Sequence, residues 1–191
     1  MQLNRKVHLV QAFFGAIILT LLMQPMGMLG YGNYMWMLFL PLLLFFALGA
    51  QNKNIPSMIL CYVCGVVWAY LNGIVTGLLS KAMPSTAANI FAAIIIIFLL
   101  LTVHENFLAN TIFGNVPALF MGMAETFFIF MIQPSNAPII TPVHLIAFFI
   151  YGIILAVALC SGGFLMCSLI FGKEKTISVL APKEQKKGTV A

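Results

Sequence analysis

PSMILCYVCGVVWAYLNGIVTGLL, residues 56–79, runs for 24 residues without one charged side chain. A helix of that length rises ~36 Å at ~1.5 Å per residue, enough to cross the ~30 Å hydrocarbon core of a bilayer. Pro56 stands in its first turn, where a missing N–H costs nothing, and lysines bound it on both sides, Lys53 before and Lys81 after. Read as a spanning helix, this stretch sets the class of the whole chain: all-α, a polytopic helical bundle in a membrane.

The composition around it agrees. Of 191 residues, 62% are hydrophobic and 7% charged, where a soluble domain carries about 25% charged residues. The tails hold most of those charges: Arg5 and Lys6 at the front, and Lys173, Glu174, Lys175, Lys183, Glu184, Lys186 and Lys187 at the back. Residues 7–172 are left with Lys53, Lys81, Glu105 and Glu125. That is too little polar material to cover a soluble surface. A soluble enzyme, a nucleic-acid-binding domain and a disordered chain are excluded.

Apolar length and Pro, Gly or Asn breaks predict six spans, about 7–23, 34–50, 56–79, 85–103, 117–132 and 143–171. The first follows Arg5 and Lys6 like a signal peptide. Its exit, Gln24-Pro25-Met26-Gly27-Met28, lacks a small-x-small cleavage pattern, so it reads as a retained helix. The sixth is long enough to tilt or to break at Gly162-Gly163. Residues 1–172 form the transmembrane domain, and 173–191 a basic, flexible tail. With six spans, eight lysines and arginines fall on one side and Lys81 alone on the other, which places both tails in the cytoplasm. The net charge of +5 then needs an anionic lipid leaflet and no nucleic acid. The four cysteines all lie inside predicted helices and predict no disulfide framework.

Membrane helices associate over small residues that let backbones approach. The third span shows them at four-residue spacing: Gly65, Ala69, Gly73 and Gly77. The fifth repeats this with Ala118, Gly122 and Thr126, and the sixth with Gly152, Ala156 and Cys160. These stripes predict a tight bundle and a homo-oligomer contact, with packing alone as the plainer reading of any one. A short echo accompanies them. Asn54-Ile55-Pro56-Ser57-Met58 resembles Asn115-Val116-Pro117-Ala118-Leu119, each opening a helix, so the third and fifth spans are expected to run parallel.

Two of these stretches, Gly65-Val66-Val67-Trp68-Ala69 and Val116-Pro117-x-x-Phe120-x-Gly122-x-x-x-Thr126-Phe127, resemble the YcdZ-like bacterial inner-membrane family. The resemblance covers roughly residues 60–127 and extends loosely into the sixth span. It implies a compact multi-helix protein of the bacterial inner membrane and assigns no activity. The family pattern leads one to expect a small residue at position 125, where this chain has Glu125.

Glu125 is the leading candidate for chemistry. It lies eight residues past Pro117, or ~12 Å along the helix, and an acid at that depth by default marks a solute, ion or proton path. With no basic residue at its level, burial favours the neutral carboxyl. Its plain reading is a carboxyl hydrogen-bonded to Asn72, Asn89, Thr126 or a tyrosine. His104 with Glu105 could gate the cytoplasmic side or take up a proton, although histidines at span ends such as His8, His104 and His144 more often serve as interfacial anchors. Cys61-Tyr62-Val63-Cys64 matches C-x-x-C, but both thiols sit inside an apolar helix and read as packing. Twelve methionines raise copper(I) handling; Met121 and Met123 face different sides of their helix, so the paired-ligand pattern fails.

No phosphate loop, nucleophile elbow, zinc motif or carboxylate pair is present, so the chain is not expected to be an enzyme and no metal or cofactor is implied. The remaining polar groups suit a narrow pathway for a small polar or weakly acidic solute. Glu125, Asn72 and Thr126 would form its constriction and Trp68, Phe120 and Phe127 its apolar walls. The rival is a non-transporting accessory or scaffold subunit, with methionine-based copper handling third.

Overall fold

The computed structural model describes residues 2–131 and 137–180, and the side chains from residue 3 onward. Every regular element among them is helical. The chain forms α1 (Gln2–Met28), a 3-10 helix Gly32–Leu38 continued by α2 (Phe39–Ala47), and a 3-10 turn Asn52–Asn54 leading into α3 (Ile55–Leu79). α4 (Ser85–Leu101) runs on into a π-helical turn, Thr102–Phe107, followed by α5 (Val116–Met131), α6 (Pro142–Phe171) and α7 (Lys173–Leu180). Lys173–Leu180, the start of the expected tail, is thus helical, whereas residues 181–191, the expected end of the fifth span at 132 and the first four residues of the 133–138 break after it lie outside the described residues.

Four helical stretches are long and apolar enough to cross a membrane: Leu3–Met28, Asn52–Leu79, Ser85–Phe107 and Pro142–Phe171. The expected second and fifth spans are instead shorter apolar helices, Gly32–Ala47 and Val116–Met131. The former would rise ~24 Å as an α-helix, short of a ~30 Å core, and the described part of α5 likewise rises ~24 Å. The second stops at Ala47, not at residue 50, for a visible reason. Gly49 and Ala50 take positive φ angles of 79° and 54°, and Ala50 and Gly49 donate their N–H groups to Phe45 and Phe46. This is a Schellman ending, which satisfies the last carbonyls and stops the helix. At the other end Pro41, with no N–H to give, sits just past the change from 3-10 to α winding. Conversely, α1 continues through Pro25 to Met28, and α6 is unbroken at Gly162-Gly163.

Outward-facing side chains are as apolar as those inside: Leu9, Phe13, Leu43, Ile94, Phe98 and Phe128 all stand exposed. On a soluble domain so much apolar surface would aggregate; in lipid it is solvated.

The chain divides into two compact units, one of residues 25–156 and one built from the segments before and after it. In the latter, α1 and the end of α6 pack antiparallel. The Cys167 thiol donates to the Val7 carbonyl at 3.5 Å, Gly163 faces Gln11, and Gly15 faces Leu159. Gly162 and Gly163 therefore serve as a seat for α1. In residues 25–156 the central pair is α3 and α5. Gly65 abuts Leu119 and Met123, Gly122 abuts Tyr62, and Tyr70 meets Phe130, so position rises together along both helices and they run parallel. The echoed starts do different work, however. Asn115 accepts the Ala118 N–H and caps α5, whereas Asn54 donates its side-chain amide to the Leu48 carbonyl.

Candidate functional site

α3 and α5 touch backbone to backbone. A Cβ built on Gly65 would stand 1.9 Å from the Leu119 carbonyl oxygen, and one on Gly122 would stand 2.1 Å from that of Tyr62. No side chain fits at either place. The α3 and α5 stripes thus meet at Gly65 and Gly122; Ala69 and Ala118 of the same stripes are also buried. Farther along, Gly73 and Gly77 have no described atom within 4 Å of a Cβ position. Gly152 packs elsewhere, against Pro41 and the Leu38 carbonyl, with Ala156 buried a turn later.

Glu125 points into the closed part of this seam and is 1% exposed. Its Oε2 accepts a short hydrogen bond from the Tyr62 hydroxyl, while Oε1 is buried without a hydrogen-bond partner among the described residues. The Tyr62 ring is itself fixed from the far side: it stacks on Phe149 of α6 with centroids 3.9 Å apart and planes 16° from parallel. Thr126 turns back on its own helix, donating to the Gly122 carbonyl at 2.7 Å, which absorbs its hydroxyl locally.

Asn72 lies elsewhere. It borders a groove of about 450 Å³ between α3, α4 and α5, together with Gly73, Thr76, Asn89, Phe127 and Phe130. Its Oδ1 is buried and lacks a hydrogen-bond partner among the described residues; Asn89 is exposed. Glu125 and Phe127 are ~200° apart around α5 at ~100° per residue, which explains why one faces the seam and the other the groove. The residues of the expected constriction therefore divide. Glu125 joins Tyr62, Asn72 joins Phe127, and Phe120 is 36% exposed.

Trp68 belongs to a third cluster. Its indole N–H donates to His104 Nε2 at 3.2 Å, and His104 Nδ1 lies 2.7 Å from the Phe113 carbonyl oxygen. An indole can only donate and a carbonyl only accept, so His104 is neutral with its proton on Nδ1. The ring, buried in the π-helical turn, ties the 108–115 connection to α3. The Cys61 thiol reinforces that tie by donating to the Ile112 carbonyl at 3.4 Å. His144 accepts from the Thr141 N–H near the start of α6. Among the described residues no group of three His, Cys, Asp or Glu side chains is placed to hold a metal ion.

Tyr62, Phe149 and the His104–Phe113 bond were not singled out from sequence, although a signal for Tyr62 existed. Tyr62, Gly65 and Ala69 follow the i, i+3, i+7 spacing of one helix face, and that face meets Gly122 and Glu125.

A family model matches residues 9–164, a span that contains the seam, the groove and the His104 cluster; its description is "Protein of unknown function (DUF1097)". The chain belongs to the DUF1097 family. No match was found among curated proteins or among solved structures. In this DUF1097 protein the arrangement offers two polar features: a dry carboxyl–phenol pair, and an amide-lined groove of the size that holds small ligands.

Proposed function

We propose that this DUF1097 protein is an inner-membrane channel or transporter for a small polar or weakly acidic solute, which enters through the groove between α3, α4 and α5. The observation that carries the reading is the placing of Asn72, Thr76 and Asn89 around about 450 Å³ of open space. Amides in an otherwise apolar surface are stable where they meet one another, a partner helix or water, and a groove that gathers two amides and a hydroxyl suits a small polar ligand. The resemblance to YcdZ-like proteins supports a bacterial inner-membrane setting, and a second copy of the chain would close the open side of the groove.

Six crossings are part of the proposal. α5 accompanies α3 from the level of Gly65 to that of Tyr70, which supports placing this short helix in the same layer. Charge bias alone does not choose between six and four crossings. Both leave eight lysines and arginines with the tails and one opposite: Lys81 for six, Lys53 for four. Cytoplasmic tails follow in either case. Labelling Lys53→Cys and Lys81→Cys variants from each side of sealed vesicles decides the number, since six crossings put position 53 with the tails.

The test of transport is swelling or uptake by proteoliposomes over a panel of small acids, amides and polyols. At least one solute is expected to pass, with flux lowered by Asn72→Ala and Asn89→Ala. Flux of no solute, or flux indifferent to both substitutions, removes the reading. The accessory-subunit alternative has one observation on its side: Glu125 is buried outside the groove, as a purely structural carboxyl would be.

A further inference from the structure

We infer that Glu125 with Tyr62 is a proton-binding site separate from the solute groove, and that it makes transport proton-coupled; the inference rests on the transport reading above. Glu125 is 1% exposed, and its two oxygens are unequal. Oε2 is held by the Tyr62 hydroxyl, whereas Oε1 is buried with no hydrogen-bond partner among the described residues. A single carboxyl and a phenol cannot supply the several oxygens that sodium, magnesium or calcium require. A proton needs one lone pair, and Oε1 has it.

The surroundings leave the site to that one ion. On α3 the titratable group facing Glu125 is Tyr62, and Cys61 is turned to the Ile112 carbonyl. From α6 the neighbour of the pair is Phe149, an apolar ring. Near the start of α2, Tyr34 spends its hydroxyl on the Pro138 carbonyl. His104 is bonded at both nitrogens. The other charged side chains of residues 25–156, namely Lys53, Lys81 and Glu105, are all exposed. Binding forms one O–H bond at Oε1 with a proton from water, release returns that proton to water, and no redox step is involved.

Coupling follows from where the site sits. Glu125 occupies the side of α5 that is seated on α3 through Gly65 and Gly122, and Phe127 and Phe130 of the same helix line the groove. An ionised carboxylate cannot stay in a dry seam without new hydrogen bonds or water. A change of protonation thus alters how α5 seats on α3, and with it the groove wall.

The experiment is infrared difference spectroscopy of the full chain in lipid vesicles between acid and alkaline pH. A titrating carboxylic-acid C=O band is expected, absent in Glu125→Gln and displaced in frequency in Tyr62→Phe, which loses one hydrogen bond to the carboxyl. Spectra identical in wild type and Glu125→Gln overturn the site. Should Glu125→Gln fail to fold, an unmoved band in Tyr62→Phe overturns it instead. Coupling is read separately, as uptake of whichever panel solute passes, with and without an imposed pH gradient. Acceleration by the gradient in wild type and its loss in Glu125→Gln support the inference. Uptake indifferent to the gradient overturns coupling while leaving transport standing, and a titrating band in a protein that passes no solute overturns transport and coupling together while leaving the proton site.

Discussion

Around Tyr62 and Gly65, α3 is pressed so close to α5 that a carbon added at Gly65 or at Gly122 would collide with backbone. From Asn72 to Gly77 the same helix borders open space. One stripe of small residues, Gly65, Ala69, Gly73 and Gly77, runs through both regions and means different things in each. In the first half smallness permits contact; in the second it leaves room. The half that is closed holds the buried carboxyl, and the half that is open holds the amides.

Adding a methyl group breaks the comparison most directly. In Gly65→Ala the new carbon meets the Leu119 carbonyl oxygen, and in Gly122→Ala that of Tyr62. Neither obstacle is the flexible end of a side chain, so the helices must separate. Each substitution is expected to cost about 3 kcal/mol or more, at the upper end of overpacking effects. Unfolding of the purified protein in detergent micelles measures it. A loss below about 1 kcal/mol would mean the seam is looser than its geometry.

Next in size is Tyr62→Phe. It leaves both oxygens of the Glu125 carboxyl unpartnered in a dry interior, an expected loss of about 1–3 kcal/mol. Tyr70→Phe, on the exposed side of α3, removes the same hydroxyl at the open half and is expected to change stability by less than about 0.5 kcal/mol. Equal effects from the two would erase the distinction between closed and open halves.

The His104 cluster gives a smaller and more local expectation. His104→Phe strips the Trp68 indole of its acceptor and the Phe113 carbonyl of its donor, at about 1–2 kcal/mol. Protection should be lost in the 108–115 connection and kept in the α3–α5 seam. Amide hydrogen exchange separates the two, and uniform loosening would show that the cluster belongs to the core.

What the sequence revealed follows from what it prints. Glu125 stood out because four charged residues occupy positions 7–172, so scarcity alone drew attention to it. The parallel course of α3 and α5 was legible from their places as the third and fifth spans. Its partner was not, because Tyr62 sits inside a C-x-x-C spacing that invites a thiol reading, and its direction depends on helix phase relative to a neighbour sequence does not name. The division of the constriction was hidden for the same reason. Asn72 and Glu125 are alike in being polar at depth, and only the rotation of each helix decides which polar groups meet. Apolar content likewise told where helices form but not where α2 stops, because the Gly49–Ala50 ending acts through φ angles and carries no hydropathy signal.

The smallest expected effect tests the open half itself. Gly73→Ala and Gly77→Ala add a carbon where nothing described lies within 4 Å, so no clash opposes them, and alanine favours a helix interior over glycine by about 1 kcal/mol. Each variant should be as stable as wild type or up to about 1 kcal/mol more so, the reverse in sign of Gly65→Ala on the same stripe. Position 73 lines the groove and position 77 does not. Gly73→Ala is therefore expected to lower solute flux through reduced width, and Gly77→Ala to leave it unchanged. Should both destabilise the protein in membranes but not in dilute micelles, the open half of α3 is the seat of a second copy, and the groove is a wall between subunits.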